Sequence, residues 1–246
     1  MIAITVQRTF EGLTFEEVAI ARLKEHAPAV KPYRLAFSGG KDSIVIKHLA
    51  DRAGVSYQAH MAQTTIDPPA VIKFIRKYHP DVFIDKPKRN MFQIIEKKKV
   101  LPTRMMRFCC RELKEVGKKG DLVITGIRWE ESNRRRARLP YEESTLKKGL
   151  FFVNPIIDWS TQDVWDYIRR FKLPYCCLYD EGYNRIGCIM CPLQGDKGMR
   201  LDAERYPAVY RRYLKTIQRV IDSGSNQLWK GKTAHEVMEW WITKKW

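Results

Sequence analysis

The clearest chemical signal in the chain is a short polar loop between an apolar run and an amphipathic one. The loop consists of Ser38, Gly39, Gly40, Lys41, Asp42 and Ser43. Two adjacent glycines let a backbone approach an anion closely. A helix that begins in the loop would present unpaired N–H groups and a positive dipole end to that anion. The pattern predicts a phosphate cradle that lacks Walker A spacing, and the plain alternative is a capped Gly-Gly turn.

Cysteines form the second chemical signal. They occur as an adjacent pair and as a later Cys-x-x-Cys motif: Cys109, Cys110, Cys188 and Cys191. Four thiolates from two separated segments suit an iron–sulfur cluster or a zinc site. An adjacent pair does not easily place both sulfurs on one zinc, whereas the separate iron corners of a cubane accommodate them. Basic side chains around the first pair would stabilise thiolates. The alternative is that the four are buried structural cysteines. The role of a further adjacent pair, Cys176 and Cys177, stays open: it could pack in the core, act as an alternative ligand or carry a persulfide.

The elements that must position these residues are strands that alternate with helices. One strand is predicted to end at Phe37, and three more are predicted over 55–62, 81–84 and 121–126. Helices are predicted over 14–26, 41–50, 68–75, 91–99, 109–116 and 160–171. Such alternation predicts an α/β fold with a doubly wound, mostly parallel sheet. Ligands bind at the carboxyl ends of the strands in such sheets, which is where the polar loop lies.

The sequence changes character after about residue 195, where only helical patterns follow. One helix is predicted over 203–221 and a last one over 234–246. Aromatic residues along the first of these, Tyr206, Tyr210 and Tyr213, are interpreted as packed core rather than as a polynucleotide-binding stripe. The predicted division is an N-terminal helical segment over 1–30, a nucleotide-binding domain with the cysteine motif over 31–195, and a helical C-terminal extension over 196–246.

Composition limits the class of protein and of partner. The 246 residues carry a formal net charge of +17, from 45 Lys and Arg against 28 Asp and Glu. This excess predicts a polyanionic partner, with a solvated basic surface as the alternative. No apolar stretch reaches the ~18 residues that a membrane helix needs. The first eight residues lack the charged and apolar regions of a secretory signal peptide. We therefore expect a cytoplasmic protein with no membrane partner, whose cysteines act as ligands or catalysts rather than in disulfides.

Taken together, these motifs resemble known families. The polar loop resembles the PP-loop of the ATP pyrophosphatase (adenine nucleotide alpha hydrolase) superfamily, which cleaves ATP between its α and β phosphates. The cysteine pattern, with segments 126–132, 154–159 and 178–182, resembles the phosphoadenosine/adenosine phosphosulfate reductase family from about residue 33 to 195. The resemblance implies that family's fold, nucleotide binding by the loop and by Gly126, and a [4Fe-4S] cluster held by the four cysteines.

Two departures from the reductases predict the branch. Reductases carry a nucleophilic cysteine in a C-terminal Glu-Cys-Gly motif, and this chain has no cysteine after Cys191. Reductases also tend to lose the lysine of the loop, whereas Lys41 is kept. The chain is in these respects similar to DNA phosphorothioation proteins and iron–sulfur tRNA thiolases. We therefore expect an ATP pyrophosphatase that adenylates a substrate and transfers sulfur to a nucleic acid, either tRNA or DNA.

The expected reaction and the net charge assign roles to single residues. Lys41 and Mg²⁺ would neutralise charge on the departing pyrophosphate, and Asp42 would hold the metal. Arg128 would meet a phosphate or the adenylated intermediate. The nucleic acid would land on a basic stretch, Arg134, Arg135, Arg136 and Arg138. A cysteine desulfurase or another donor would supply sulfur. Lys41 is expected to be a surface-loop cation whose removal costs little stability.

Two rival functions stay open from the sequence alone. One is a phosphoadenosine/adenosine phosphosulfate reductase that acts on a small sulfonucleotide. The other is a nucleotide-binding accessory subunit without catalysis, in which the cluster is structural. Turnover of ATP to AMP, release of sulfite, or neither, separates the three.

Overall fold

A six-stranded sheet organises the part of the chain that carries the polar loop. The computed structural model describes residues 12–114 and 117–244. The sheet order is β3-β2-β1-β4-β6-β5, and only β5 pairs antiparallel, with β6. The strands are β1 Tyr33–Ala36, β2 Tyr57–Ala62, β3 Phe83–Asp85, β4 Leu122–Ile124, β5 Tyr141–Glu143 and β6 Phe151–Val153. The predicted α/β class with a mostly parallel sheet is confirmed.

Helices follow most strands and also fill the C-terminal part of the chain. They are α1 Phe15–Glu25, α2 Lys41–Ala53, α3 Pro69–Tyr78, α4 Met91–Lys98, α5 Phe108–Leu113, α6 Asn133–Arg136, α7 Thr161–Arg170, α8 Gly195–Arg205, α9 Pro207–Asp222 and α10 Ala234–Thr243. Capping boxes at Thr14 and Ser160 start α1 and α7 as their sequences predict, because each hydroxyl accepts the N–H of the third helical residue. The described helices include none that is long and apolar enough to cross a bilayer.

The chain divides into two compact units whose segments interleave along the sequence. The first unit combines Met1–Ala62, Ala70–Asp85 and Val116–Ile186, and the second combines Gln63–Pro69, Lys86–Glu115 and Gly187–Trp246. The first unit contains the sheet, and its apolar core is made by residues such as Leu35, Val45 and Ile124. The second unit is helical around Tyr213 and Trp241.

The predicted segment boundaries at 30/31 and 195/196 stay predictions, because the compact units are assembled from several pieces of chain. A helical C-terminal part is present, and it shares its unit with α4 and α5. Residues 1–11 of the predicted N-terminal segment lie outside the described residues. So do 115–116 and 245–246, the ends of two predicted helices.

The single helix predicted over 203–221 is wrong. It is divided into α8 and α9 at Tyr206, which has φ −122° and ψ 61°. Pro207 explains the break, because its ring disfavours a helical conformation at the preceding residue. The aromatic residues on α9 agree with their interpretation as core: Tyr213 is 1% exposed. The strand predicted over 81–84 forms as β3 at one edge of the sheet, and its Phe83 is exposed.

Candidate nucleotide site and cysteine cluster

The polar loop connects β1 to α2 and needs glycine at its first turn. Gly39 has φ +72°, and a Cβ placed on it would lie 2.9 Å from Cγ1 of Val71 and 3.1 Å from Cδ1 of Ile75. The loop therefore packs directly on α3, and a side chain at this position would be both strained and obstructed. Ser43 closes the turn by donating to the Gly40 carbonyl at 2.7 Å.

The first turn of α2 leaves backbone donors unused. Its N-cap, Gly40, has no side chain to accept them. The Lys41 N–H donates to the Tyr179 hydroxyl at 2.9 Å, and the Ile44 N–H donates to the Gly40 carbonyl at 3.1 Å. No described residue accepts the N–H groups of Asp42 and Ser43. Two free amides at a positive helix end are what an anion-binding loop offers.

Lys41 is buried, which corrects the expectation of a surface cation. The residue is 5% exposed, and its ammonium lies 3.3 Å from Oδ2 of Asp42. The other oxygen of Asp42 accepts from Nε of Arg128 at 2.7 Å. Arg128 is only 2% exposed. One carboxylate thus lies between two buried cations at the N-terminus of α2.

Arg128 is committed to protein groups. Its guanidinium also donates to Glu130 at 2.9 Å and to the Trp159 carbonyl and the Thr161 hydroxyl, each at 3.2 Å. These bonds, with the one to Asp42, engage four of the five N–H groups that an arginine has. Gly126, predicted to bind the nucleotide, lies where a Cβ would be 3.1 Å from the Cβ of Asp42. The end of β4 therefore supports the start of α2.

The predicted landing site for nucleic acid lies on and after the short helix α6. Arg135 pairs with Glu131, and Arg138 pairs with Glu142. Burial, with the charge of Arg185, lowers the pKa of Arg135. The side chains of the other two arginines, Arg134 and Arg136, are exposed and make no ion pair with any described residue. Half of this basic stretch is thus neutralised by the protein itself.

The four motif cysteines all lie in the second unit and interact with one another. A hydrogen bond that the Cys109 thiol donates to Cys110, burial, and the negative charges of the three neighbouring cysteines together raise the pKa of Cys109. Cys188 is buried and lies 3.5 Å from the Thr64 hydroxyl. The Cys-x-x-Cys loop is fixed by backbone N–H groups: that of Ile189 donates to the Ile66 carbonyl at 2.8 Å, and that of Met190 donates to Asp202 at 2.7 Å.

Lys114 adds a cation to this cluster of thiols. Desolvation acts to lower the pKa of its ammonium, but the charge of Cys188 and a hydrogen bond to it raise that pKa on balance. Across the described ranges, no three His, Cys, Asp or Glu side chains form a ready metal site. The donor set nevertheless fits a thiolate-held cluster in ligand type and number, with a cation to offset its charge. Cys176 and Cys177 belong to the first unit.

Comparison with known proteins identifies the family. The model of the phosphoadenosine phosphosulfate reductase domain matches residues 32–194. The chain belongs to this family. It is 34% identical to a protein of Methanocaldococcus jannaschii named only as uncharacterised, over 196 residues, which are 75% of this chain and 47% of that one. It is also 34% identical to the adenosine 5'-phosphosulfate reductase of Allochromatium vinosum, over 50% of this chain and 44% of the relative.

This chain spans about half the length of the curated relatives it matches. Among solved structures, the FMN adenylyltransferase of Candida glabrata, in complex with FAD and inorganic pyrophosphate, is similar with a TM-score of 0.53 and 14% identity. The match covers 72% of this chain and 62% of that chain. At this identity the similarity shows a shared fold.

Sequence reasoning missed Tyr179 as a residue of the site. It belongs to the segment 178–182 that carries the family resemblance, but its contact with the Lys41 N–H joins residues far apart in the chain. Burial raises the pKa of its phenol, so the hydroxyl keeps its proton and can also donate. The only sequence signal was the segment itself, which does not say what its tyrosine contacts.

Proposed function

We propose that this member of the phosphoadenosine phosphosulfate reductase domain family is an ATP pyrophosphatase that activates an acceptor for sulfur transfer. The observation that carries the proposal is the buried Lys41 at the N-terminus of α2, beside two unpaired backbone N–H groups. A concentrated positive site of this kind suits a polyphosphate that becomes more negative as it leaves.

In the proposed step an oxygen of the acceptor attacks the α-phosphorus of ATP. The bond from the α-phosphorus to the bridging oxygen breaks, and that oxygen leaves with pyrophosphate. The acceptor is then adenylated, and hydrosulfide displaces AMP from it to form the acceptor–sulfur bond. Where a persulfide is the donor, its attack gives a disulfide with the acceptor, which a thiol reductant then cleaves to release the thiolated product. Lys41 would stabilise the departing pyrophosphate, and the N–H groups of Asp42 and Ser43 would bind phosphate oxygens. Arg128 would act through Asp42, whose carboxylate it holds at 2.7 Å.

Mg²⁺ would arrive with ATP as part of the substrate. Asp42 was predicted to hold this metal, but both of its oxygens already face cations, Lys41 and Arg128. Such a carboxylate has little negative charge left for a dication. We therefore propose Asp42 as the group that orders the two cations, with the nucleotide phosphates as the chief ligands of Mg²⁺.

A [4Fe-4S] cluster would be held by the four thiols of the second unit: Cys109, Cys110, Cys188 and Cys191. Such a cluster, when bound, supplies a sulfur-rich redox centre. Lys114 would offset its negative charge. A cysteine desulfurase or a similar persulfide source would replenish the sulfur. The net charge of +17 supports tRNA or DNA as the acceptor.

The products of ATP turnover test this proposal. The full chain, prepared without oxygen, would be incubated with ATP, Mg²⁺ and either tRNA or DNA. We expect AMP and pyrophosphate in equal amounts. Formation of ADP and phosphate would contradict cleavage at the α-phosphorus. Absence of turnover with every acceptor, despite ATP binding, would favour a non-catalytic accessory subunit.

Sulfonucleotide reduction is a second candidate, favoured by the identity to adenosine 5'-phosphosulfate reductases. An anionic sulfonucleotide would use the same free N–H groups at the start of α2. The experiment is to supply adenosine 5'-phosphosulfate with a thiol reductant and to measure sulfite. Sulfite release with no pyrophosphate from ATP would select the reductase.

A further inference from the structure

The second unit carries a basic groove that the proposed chemistry does not use. The groove lies between α4 and α9 and has a volume of about 530 Å³. The walls are lined by Phe92 and Glu96 from α4 and by Arg211, Arg212, Lys215 and Arg219 from α9. We refer to these six residues as the α4–α9 groove. Neither the loop nor the cysteines contribute to it.

The cations of the groove form one face of α9 because its other face is core. Tyr213, Ile217 and Val220 are each at most 1% exposed. Arg211 and Arg212 directly precede Tyr213, Lys215 and Arg219 lie between the core residues, and all four are exposed. Since residues three and four apart share a helix face, burial of the apolar stripe forces Arg211, Lys215 and their neighbours outward. The charged row is thus held by a rigid helix rather than by a loop.

Most of the positive charge in the groove has no protein partner. Arg219 pairs with Glu96 at 2.8 Å. Arg211, Arg212 and Lys215 form no ion pair with any described residue. The Arg212 guanidinium lies 4.5 Å from the centre of the Phe92 ring, which restricts its orientation. Three unpaired cations therefore lie side by side, one of them already oriented by an aromatic ring.

We propose that the α4–α9 groove binds the sugar–phosphate backbone of a nucleic acid. From Arg211 to Arg219 the helix rises about 12 Å, at ~1.5 Å per residue. One strand of a duplex rises ~3.4 Å per phosphate, so the row matches three to four successive phosphates. Guanidinium groups recognise phosphates through paired N–H groups. A single nucleotide would reach only part of so extended a row, which favours a polymer.

This inference rests on the nucleic-acid acceptor of the proposed function and adds where the polymer is held. It differs from the predicted landing site on α6, where two of four arginines are already paired with glutamates. The shared chemistry is a phosphodiester backbone. tRNA and duplex DNA are its two sources, and separate arms of the experiment distinguish them.

The test compares two triple variants of the full chain with equal loss of charge. The groove variant carries Arg211→Gln, Arg212→Gln and Lys215→Gln. The matched control carries Lys73→Gln, Arg76→Gln and Lys77→Gln, three exposed cations of α3. Affinity for tRNA and for duplex DNA would be measured by fluorescence anisotropy from 50 to 200 mM salt. Unfolding by denaturant would verify that both variants fold.

We expect the groove variant alone to lose salt dependence. At ~0.9 units per phosphate contact, loss of three contacts lowers the magnitude of the log K against log salt slope by about 2.7 on duplex DNA. Wild type would then lose about 40-fold more affinity than the variant over this salt range. The polymer whose salt-dependence slope changes more in the groove variant, tRNA or duplex DNA, is identified as the one that the groove binds. Equal slopes for groove and control variants would overturn the inference and leave the acceptor class standing.

A measurement on the wild-type chain avoids dependence on the variant's folding. Lysine acylation read by mass spectrometry should show Lys215 protected when the polymer is bound and Lys73 unprotected. Equal reactivity of Lys215 with and without polymer would reject the groove. If the wild-type chain failed to bind either polymer at 50 mM salt, both this inference and the proposal of a nucleic-acid acceptor would be overturned. The proposed pyrophosphatase activity would still be tested separately, by the products of ATP turnover.

Discussion

Replacing Lys41 with methionine should remove catalysis while leaving the fold in place. Methionine keeps most of the apolar stem that fills the buried position, where Lys41 is 5% exposed. The substitution removes only the ammonium, 3.3 Å from Asp42. Asp42 is not left alone, because its other oxygen still accepts from Arg128 at 2.7 Å. The carboxylate therefore stays paired in the variant.

The expected magnitudes differ for activity and stability. Loss of one preorganised electrostatic stabiliser costs about 2.7–4 kcal/mol in the transition state, or about 10²–10³ in rate. Breaking a buried pair costs about 3–5 kcal/mol when a charge is left uncompensated. Since Asp42 keeps Arg128, we expect the free energy of unfolding to fall by less than about 2 kcal/mol. Activity should thus be lost from a folded protein.

Pyrophosphate release and denaturant unfolding would be measured on the same preparation. Arg128→Met is the matched comparison, because it strips a partner from Asp42, Glu130 and Thr161 together. That variant should lose both activity and stability, the latter by about 3–5 kcal/mol. If Lys41→Met released pyrophosphate within a few-fold of wild type, Lys41 would not face the leaving group and the assignment of the loop to catalysis would fail.

Further predictions concern a histidine, a tyrosine and the cysteines. Burial, and to a smaller extent the charge of Lys47, lower the pKa of His79 from 6.5 to about 4. Between pH 4 and pH 6.5 the unfolded chain therefore binds more protons at His79 than the folded chain does. The free energy of unfolding should therefore fall by up to about 3 kcal/mol as pH drops from 6.5 to 4, and His79→Phe should flatten this dependence. Tyr179→Phe should weaken ATP binding by about 2- to 13-fold through loss of one hydrogen bond, measured by calorimetry; tighter binding would contradict the donor role. Iron would be assayed in protein prepared without oxygen. The Cys176→Ala and Cys177→Ala variants should retain about four irons per chain. Variants with serine at any one of the four motif cysteines should lose this iron: Cys109, Cys110, Cys188 and Cys191.

Local sequence signals predicted the elements around the loop because their causes are local. A Gly-Gly turn after an apolar run and before an amphipathic one places β1 and α2 without reference to the rest of the chain. Capping boxes at Thr14 and Ser160 depend only on residues three apart. The family resemblance was confirmed over nearly the predicted range. The break at Pro207 also had a local signal, since proline constrains the residue before it, and the aromatic spacing on both sides obscured it.

Contacts between distant segments could not be predicted in the same way. The burial of Lys41 depends on the start of α2 being enclosed by groups from far along the chain, and no feature of the loop encodes that. The same holds for the Tyr179 hydroxyl on the Lys41 N–H. Strands β5 and β6 are three residues each, too short for a periodicity to appear. The interleaving of the two units likewise arises from tertiary packing.

The pairing of Asp42 with two cations explains how the loop can hold positive charge before a nucleotide binds. Lys41 and Arg128 are both nearly inaccessible to water, and an uncompensated buried charge is costly. Asp42 offsets both, and Glu130 adds a second carboxylate beside Arg128. A phosphate at the start of α2 would compete with Asp42 for its cations. The contact to Lys41 is 3.3 Å and single, whereas Arg128 is held at 2.7 Å and by three other groups. We infer that Lys41 is the cation that turns to the ligand and Arg128 the one that stays, so that binding exchanges one buried ion pair for another.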